Sequence, residues 1–223
     1  MTNELKALGS DLDGTLVYQK PQYATYIVGK AFDELGIVYD DNFINEFVDN
    51  FWNGSYRDRL VKERLKINYM DFWHVFWKLD TPEVRAVYTE VYDDAVALKG
   101  LYDKGIRLGI VTKAVKKVAE AEIALLKKKV SGIEFESVVA NDTPSIIQQK
   151  PNPHTIFISM RELNATNCDY AYLGNSEEDA LATLRAGVQP IIVIRDDKTR
   201  EVMKNFGDTV KAIDSLFELE RIL

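Results

Sequence analysis

Two carboxylates separated by one residue, Asp11 and Asp13, come early in the chain and are followed by Gly14 and Thr15. A carboxylate can attack phosphorus and form an acyl phosphate, which divides one difficult displacement into two easier steps. The second carboxylate, Asp13, can protonate the leaving oxygen and then take a proton from the attacking water. Because Asp and Gly also favour turns, a solvated Asp-Gly turn is the alternative interpretation of this segment.

The position of this pair depends on the elements around it. The residues Leu5-Lys6-Ala7-Leu8 predict a first strand. From about Asp93 onward, short apolar runs alternate with helical segments, which indicates βαβ units and a parallel sheet with helices on both faces. In such a sheet the carboxyl ends of the strands form the ligand crevice. Asp11 and Asp13 are therefore expected to point into a site.

The stretch between Tyr18 and Tyr92 has a different character. It holds 17 of the 24 aromatic residues, including all 3 Trp, and its apolar residues recur with helical period. Thr81-Pro82 is typical of a helix start, and no segment here predicts a strand. We therefore expect an α/β fold: a Rossmann-like parallel sheet core from residues 1–17 and 93–223, with an all-helical cap domain inserted at residues 18–92.

Four segments together resemble the haloacid dehalogenase-like hydrolase superfamily, in its cap-bearing phosphatase branch. Asp11 and Asp13 match the first motif, and Thr112 at the end of a predicted strand matches the second. Lys150-Pro151-Asn152-Pro153 matches the third motif. The fourth is matched imperfectly by the segment from Gly174 to Asp179. The order of the motifs, their spacing and the helical insertion between the first two all agree with this family.

The resemblance implies a role for each matching residue. Asp11 would be the nucleophile, Asp13 the proton donor and acceptor, and Lys150 a fixed positive charge over both nucleophile and phosphoryl group. The phosphate would be bound by Thr112, Lys113 and Gly14. A phosphate among carboxylates requires a cation, and Mg²⁺ prefers hard oxygen ligands. The implied Mg²⁺ ligands are Asp11, Asp13, Asn175 and Asp179.

Several of these residues have a purely structural alternative. Thr112 taken alone is a candidate N-cap of the following helix. Lys150 taken alone is a candidate solvated surface lysine. Lys113 either adds charge near the phosphate or faces solvent, and the sequence favours neither.

Asn175 stands where these phosphatases usually carry an aspartate that binds the metal. The amide keeps an oxygen ligand but removes one negative charge, which predicts weak Mg²⁺ binding. Asp179 lies four residues later, and we expect it on the same helix face, where it could orient metal-bound waters or Lys150.

The predicted cap carries a candidate specificity segment, the turn from Asn53 to Arg57, which resembles the loop that family caps lower toward the active site. Gly54 and Arg57 are its candidate specificity residues. A guanidinium group matches a carboxylate or phosphate in two-pronged geometry, so Arg57 could recognise a second anionic group of the substrate. The alternative is that Arg57 pairs with Asp58 or Glu63.

Charge and composition exclude other classes of function. Lys and Arg number 28 against 35 Asp and Glu, so the net charge of −7 disfavours nucleic acid and anionic membrane surfaces as partners. The sequence contains no run of about 18 apolar residues, which is the length needed to cross a bilayer. The single cysteine, Cys168, and the absence of a signal-like start predict a cytoplasmic protein. The oligomeric state is left open between a monomer and a homodimer.

The predicted function is a Mg²⁺-dependent phosphatase that hydrolyses a small phosphorylated metabolite through an aspartyl-phosphate. A sugar phosphomutase is the alternative within the family, because it shares these motifs but returns the phosphoryl group to the substrate. Dehalogenation is disfavoured, since halide displacement does not require the proton transfer by Asp13. The alternative to an enzyme is a protein that binds a phosphorylated ligand without catalysis. Asn175 suggests this alternative, because it lacks the negative charge of the usual metal-binding aspartate.

Overall fold

The apolar runs of the sequence form a six-stranded sheet in the computed structural model, which describes residues 5–53, 57–141 and 149–223. The order is β5-β4-β1-β6-β7-β8, and each neighbouring pair is parallel. These six strands are β1 (Ala7–Ser10), β4 (Arg107–Val111), β5 (Phe135–Val139), β6 (Tyr170–Gly174), β7 (Gln189–Val193) and β8 (Lys211–Ile213). The central strands β1 and β6 are buried along their whole length, as expected for a parallel sheet covered on both faces.

Helices connect these strands and fill the insertion. The helices are α1 (Pro21–Glu34), α2 (Asp41–Asn53), α3 (Arg57–Leu60), α4 (Tyr69–Leu79), α5 (Pro82–Tyr88), α6 (Ala97–Asp103), α7 (Lys116–Lys129), α8 (His154–Glu162), α9 (Glu177–Arg185), α10 (Asp197–Lys204) and α11 (Leu219–Ile222). Shorter turns of helix lie at Val61–Leu65, Asp93–Val96, Gly207–Thr209 and Leu216–Glu218. None of the helices in the described ranges is long and apolar enough to cross a membrane.

The first strand begins two residues later than its apolar run predicts and includes Gly9 and Ser10. Apolar patterning misses these two residues because neither carries an apolar side chain. Gly9 is required by close packing: a Cβ there would lie 1.7 Å from the Tyr170 hydroxyl oxygen. The glycine lets β1 pass under the aromatic side chains of β6, and the strand then ends directly before Asp11.

The chain divides into two compact units. One unit is discontinuous and consists of the chain up to Tyr18 together with Val91–Leu223. The other unit is the continuous segment Gln19–Glu90. The chain passes between them in two short strands, β2 (Val17–Gln19) and β3 (Thr89–Val91), which pair as a two-stranded sheet. The prediction that this stretch contains no strand is therefore wrong. Strands of three residues are too short to produce a recognisable alternating pattern.

Each unit has its own buried core. In the sheet-containing unit, one large cluster includes Leu8, Leu108 and Leu173, and a second includes Tyr172 and Ile156. In the inserted unit, the helices bury an aromatic cluster centred on Phe47, Phe51 and Phe72. The predicted fold class is thus confirmed, as a parallel sheet flanked by helices with a helical unit inserted after the first strand.

The inserted unit also buries a charged pair. Asp80 accepts hydrogen bonds from Arg85 Nε at 2.7 Å and Nη2 at 2.9 Å, and from the Tyr23 hydroxyl at 2.7 Å. The guanidinium carbon of Arg85 also lies 4.7 Å from the centre of the Tyr23 ring. Thr81 begins α5 as its N-cap, accepting from Val84 N, with Pro82 in the first turn, as its sequence predicts.

Candidate active site

Three neighbouring strands bring the matching motifs together. Asp11 follows β1, Thr112 follows β4 and Asn175 follows β6, and β1 lies between the other two strands. The backbone N–H of Asp11 donates to Leu173 O at 2.8 Å, and that of Thr112 donates to Val139 O at 2.9 Å. Both residues are therefore fixed by the ladder of the sheet at the carboxyl ends of its strands, where parallel sheets bind ligands.

Lys150 is buried at the centre of the site. Its ammonium group donates to Asp11 Oδ1 at 2.6 Å and to Asp179 Oδ1 at 2.7 Å. It also lies 3.1 Å from Val111 O and 3.1 Å from the Tyr172 hydroxyl oxygen. Only 4% of its side chain is exposed. The alternative that Lys150 is a solvated surface lysine is therefore wrong.

Asp179, which accepts a hydrogen bond from Lys150, is itself held in place by other donors. Its second oxygen, Oδ2, accepts from Ser176 N at 3.1 Å, Ser176 Oγ at 2.5 Å and Asn175 N at 3.2 Å. Ser176 and Asp179 form a capping box at the start of α9. Asn175 lies before the helix, so the expectation that Asn175 and Asp179 share a helix face is wrong. With both oxygens engaged, Asp179 is placed to anchor Lys150, and its role as a metal ligand stays a prediction.

The charges in this cluster do not balance. Lys150 is one cation between two buried carboxylates, Asp11 and Asp179. Burial alone would raise the pKa of Asp179, but Lys150 and the donors from Ser176 and Asn175 lower it below its ordinary value. Burial would lower the pKa of Lys150, but the two carboxylates raise it well above its ordinary value.

The excess negative charge of this cluster affects Asp11 most. Burial raises the pKa of its carboxyl group to about 7, against the opposing effect of Lys150, and the charges of Asp179 and Asp13 contribute in the same direction as burial. Asp11 has fewer donors than Asp179, because its Oδ2 accepts only from the Thr15 hydroxyl among the bonds found in the described ranges. A cation bound beside Asp11 would remove this excess of negative charge.

Thr15 joins the first and fourth motifs. Its hydroxyl oxygen is fully buried and lies 3.2 Å from Asp11 Oδ2 and 3.2 Å from Asn175 Oδ1. The same turn contains Gly14, whose φ of +78° favours glycine and whose added Cβ would lie 2.4 Å from Asn175 Nδ2. The Gly14 N–H donates to Val17 O at 2.7 Å, so this group serves the turn. Phosphate binding by Gly14 stays a prediction.

The oxygen atoms near Thr15 fit a hard cation. Asp11 Oδ2 and Asn175 Oδ1 converge on one hydroxyl, and half-buried Asp13 follows two residues after Asp11. Carboxylate, amide and backbone oxygens are the ligands that Mg²⁺ uses in proteins. The described residues contain no group of three or more His, Cys, Asp and Glu side chains arranged to hold a metal ion. The donor set thus suits Mg²⁺ in kind and is low in charge.

Thr112 and Lys113 directly follow β4, the strand next to β1 on the side opposite β6. Thr112 is buried, and its Oγ1 accepts from Ala114 N at 3.0 Å. The N-cap of α7 is Val115, so the alternative that Thr112 caps this helix is wrong. Lys113 pairs with Glu178 of α9 at 2.5 Å, and close to half of each side chain is exposed. Their contact with phosphate stays a prediction.

The candidate specificity residues lie in the inserted unit. Arg57 Nε donates to Phe51 O at 2.9 Å, and its guanidinium carbon lies 5.3 Å from the centre of the Phe51 ring. Of the two proposed acidic partners, Asp58 accepts from Trp73 Nε1, and Glu63 pairs with Arg59. Gly54 lies outside the described residues. Substrate recognition by Arg57 stays a prediction.

Three contributors to the site were not predicted from the sequence. The sequence assigns no functional role to Thr15 or to Tyr172. Arg195 follows β7 and donates from Nη2 to Thr15 O at 2.7 Å. Tyr172 could have been suspected, because it is a polar residue in the middle of a fully buried strand. The contact of Arg195 spans 180 positions, and no local pattern indicates it.

Known proteins resemble this chain in sequence and in fold. A family model described as haloacid dehalogenase-like hydrolase matches residues 10–193. A phosphoglycolate phosphatase of Colwellia psychrerythraea is 24% identical over 199 residues, covering 84% of each chain. Pyrophosphatase PpaX of Bacillus pumilus is 24% identical over 197 residues, covering 86% of this chain and 85% of its own. The crystal structure of CbbY from Rhodobacter sphaeroides in complex with phosphate superposes with a TM-score of 0.69 at 19% identity, covering 96% of each chain.

Proposed function

The chain belongs to the haloacid dehalogenase-like hydrolase family, and from this premise we propose that it hydrolyses a small phosphorylated metabolite through an aspartyl-phosphate on Asp11. The family assignment makes the chain a hydrolase, and the phosphatases among its relatives support phosphoric monoester hydrolysis. The substrate class follows from those relatives and from a site that concentrates charge around one carboxylate.

The observation that carries this proposal is the contact between Lys150 and Asp11. A buried carboxylate at a strand end, 2.6 Å from a buried ammonium group, is held at a fixed position and orientation. Lys150 is itself fixed by Asp179 at 2.7 Å. Such preorganised charge offers stabilisation where negative charge develops during phosphoryl transfer, at no cost in reorganisation.

The proposed reaction has two steps. In the first, an oxygen of Asp11 forms a bond to phosphorus, the ester P–O bond breaks, and Asp13 gives its proton to the leaving oxygen. In the second, Asp13 takes a proton from water as that water attacks phosphorus, and the bond between phosphorus and Asp11 breaks. Free phosphate is released and both aspartates return to their starting states.

Mg²⁺ is the proposed cofactor, and it would supply positive charge to the phosphoryl oxygens and to Asp11. The residues that would hold it are Asp11, the backbone carbonyl of Asp13 and Asn175. Lys150 keeps its proton throughout, because its raised pKa leaves it charged at any working pH. Thr15 orients Asp11 and Asn175 toward a common point.

An assay with p-nitrophenyl phosphate and Mg²⁺ tests this proposal. Wild type should release p-nitrophenol, and the variant Asp11→Asn should lose at least about 10³-fold in kcat, because the nucleophile is absent. Asp13→Asn should lose about 10²–10⁴-fold, the usual contribution of general acid–base catalysis. Asp208→Asn, an exposed carboxylate of the same unit, is the control and should retain wild-type activity.

The alternatives give different products. A phosphomutase would convert a sugar phosphate into its isomer with little free phosphate. A phospholigand-binding protein, suggested by the missing charge at Asn175, would bind inorganic phosphate and release no p-nitrophenol with any divalent metal. Wild-type turnover that survives Asp11→Asn would contradict the proposed mechanism, since another group would then be attacking phosphorus.

A further inference from the structure

Arg195 is a largely buried arginine next to the candidate site, two residues after the end of the sheet strand β7. Its guanidinium group donates from Nη1 and Nη2 to the two oxygens of Asp94, at 2.9 and 3.0 Å. Nη2 also donates to the backbone carbonyl of Thr15 at 2.7 Å. Only 12% of the Arg195 side chain and 11% of the Asp94 side chain are exposed. One side chain therefore connects a distant carboxylate to the turn that carries Asp11.

The arginine is held firmly on the side away from the site. Asp94 also accepts from Ser215 Oγ at 3.2 Å and from Leu216 N at 3.0 Å, which fixes the carboxylate. The guanidinium carbon lies 3.7 Å from the centre of the Tyr92 ring, well within the range of a cation–π contact. Two-pronged pairing and ring stacking both require the planar guanidinium group, which lysine lacks.

Thr15 connects Arg195 to Asp11 through hydrogen bonds. The Thr15 carbonyl accepts from Arg195, while the Thr15 hydroxyl contacts Asp11 Oδ2 and Asn175 Oδ1, each at 3.2 Å. A second contact comes from α10, the helix that follows Arg195, because the Thr199 hydroxyl donates to Asn175 O at 3.4 Å. Arg195 and α10 thus contact both the turn after Asp11 and the turn at Asn175, although this segment carries none of the family's matching residues.

A role in stability alone does not account for this arrangement. Buried ion pairs are weak contributors to net stability, because desolvation offsets much of their attraction. Arg195 Nε is also buried and has no hydrogen-bond partner among the described residues, which adds a further desolvation cost. The gain that remains is a fixed position for the Thr15 carbonyl, 2.7 Å from Nη2.

We propose that Arg195 is a positioning residue that holds Thr15, and through Thr15 holds Asp11 and Asn175, in the geometry needed for phosphoryl transfer. This inference rests on the phosphatase function proposed above. A displacement of about 1 Å in a reacting group can cost on the order of 10²-fold in rate. Arg195 itself does not touch the phosphoryl group in this assignment.

The test compares Arg195→Lys and Arg195→Ala with wild type, and uses Arg200→Lys as the matched control. Arg200 lies five residues further along and pairs with Asp214 on the exposed surface. Steady-state kinetics give kcat and KM for p-nitrophenyl phosphate and the inhibition constant of inorganic phosphate. A separate measurement gives the amide hydrogen exchange of the peptide that covers residues 11–17. Thermal melts establish that each variant is folded.

We expect Arg195→Lys and Arg195→Ala to lower kcat about 10–100-fold, with KM and the phosphate inhibition constant within about threefold of wild type. Exchange in residues 11–17 should accelerate at least about tenfold in both variants, and Arg200→Lys should change neither the kinetic constants nor the exchange. Millimolar guanidinium should restore part of the kcat of Arg195→Ala, and equimolar ammonium should not, because only guanidinium has the planar donor geometry.

Two outcomes overturn the inference. Unchanged exchange of residues 11–17 in both variants would overturn it whether or not the protein is active. Accelerated exchange with kcat within twofold of wild type would overturn the catalytic part. If Arg195→Ala is unfolded, the folded Arg195→Lys variant decides between these results. Absence of turnover in wild type would instead contradict the proposed function, and the exchange measurement would still decide the positioning.

Discussion

At the scale of single residues, the dominant feature is that Asp11 and Asp179 share one lysine on unequal terms. Asp179 receives donors from Ser176 and from the Asn175 backbone in addition to Lys150, so it keeps its charge. Asp11 has Lys150 and the Thr15 hydroxyl. Functional sites commonly carry such unfavourable charge, because the substrate or cofactor supplies the compensation.

Removal of the Asp11 charge should therefore stabilise the protein when no divalent cation is bound. The pKa of Asp11 is raised in the folded state to about 7, so its ionisation opposes folding above the unfolded pKa near 4. The penalty is absent below that pH and complete above about pH 7. At pH 8 in chelator, Asp11→Asn should be more stable than wild type by on the order of 1–4 kcal/mol in urea denaturation.

The comparison at pH 4 is the internal control, because both proteins are then nearly neutral at this position and the difference should disappear. Addition of Mg²⁺ at pH 8 should stabilise wild type more than the variant, as expected for a ligand that binds the folded state. A variant that is less stable than wild type at both pH values would show that Lys150 already compensates the Asp11 charge.

Restoring a carboxylate at the fourth motif should increase metal affinity. In Asn175→Asp the oxygen near Thr15 gains a negative charge, and Mg²⁺ binding depends on ligand charge. We expect the Mg²⁺ concentration for half-maximal activity to fall about tenfold, or about 1.4 kcal/mol, with a matching gain in calorimetric Mg²⁺ affinity. Asn205→Asp, at the exposed end of α10, is the control. Equal affinities in the two variants and wild type would disprove weak binding through Asn175.

At the scale of elements, the junction between β1 and β6 depends on one aspartate. The Asp169 backbone carbonyl accepts from Lys6 N and Ala7 N, and its side chain accepts from Thr166 N at 2.6 Å and Lys6 Nζ at 2.8 Å. The Lys6 and Thr166 donors lower the pKa of Asp169 to about 2. This residue fixes the start of the two strands that end at Asp11 and Asn175.

Asp169→Ala should cost about 1–3 kcal/mol at pH 7, the usual loss for hydrogen bonds to a charged group. A depressed carboxyl pKa contributes stability above the unfolded value near 4, and that contribution is lost as the pH falls through about 2. The gap between wild type and variant should therefore narrow from pH 4 toward pH 2 in urea denaturation.

Lys6→Met is the matched variant, because it removes the lysine and leaves the Thr166 bonds to Asp169 intact. Its cost should be at most about 1 kcal/mol, since Lys6 is mostly exposed and exposed pairs contribute little. A gap for Asp169→Ala that stays constant from pH 7 to pH 2 would show that its charge is not what stabilises the junction.

The sequence predicts the elements with apolar strands well and the polar contacts poorly. Runs such as Ile191–Ile194 identify strands because parallel sheets bury both faces. The strands β2 and β3 are missed because they are three residues long. The network of Thr15, Tyr172 and Arg195 is missed because three of its contacts join positions 61 to 180 residues apart. The family resemblance identifies Lys150 and Asp179 as site residues, whereas a lysine or an aspartate considered alone is expected at the solvent-exposed surface.

At the scale of the whole molecule, the two units carry different optical probes. All three tryptophans, Trp52, Trp73 and Trp77, lie in the unit Gln19–Glu90, and each packs on its aromatic cluster. Tryptophan fluorescence therefore reports this unit alone. The buried pair of Asp80 and Arg85 belongs to the same unit, so its loss should be visible in that signal.

Asp80→Ala should lower the stability of the inserted unit by about 3–5 kcal/mol, because it leaves Arg85 as a buried charge without this carboxylate. The midpoint of the tryptophan transition in urea should fall. Hydrogen exchange of the β1 and β6 peptides should change much less, since those strands have a separate core. Glu34→Ala, which removes an exposed pair with Lys78, is the control and should cost below about 1 kcal/mol. Equal loss of protection in β1 and β6 would show that the units unfold together.

The two ends of the insertion meet: Lys20 N donates to Tyr88 O at 2.8 Å, and β2 pairs with β3 just beyond. A segment whose entry and exit coincide can be lengthened, shortened or exchanged without moving β1 or the turn that follows it. The inserted unit can then change during evolution while the residues proposed for phosphoryl transfer stay in place. New substrates become accessible by replacing one continuous stretch of gene, and chimaeras joined at Lys20 and Tyr88 offer the same route to the laboratory.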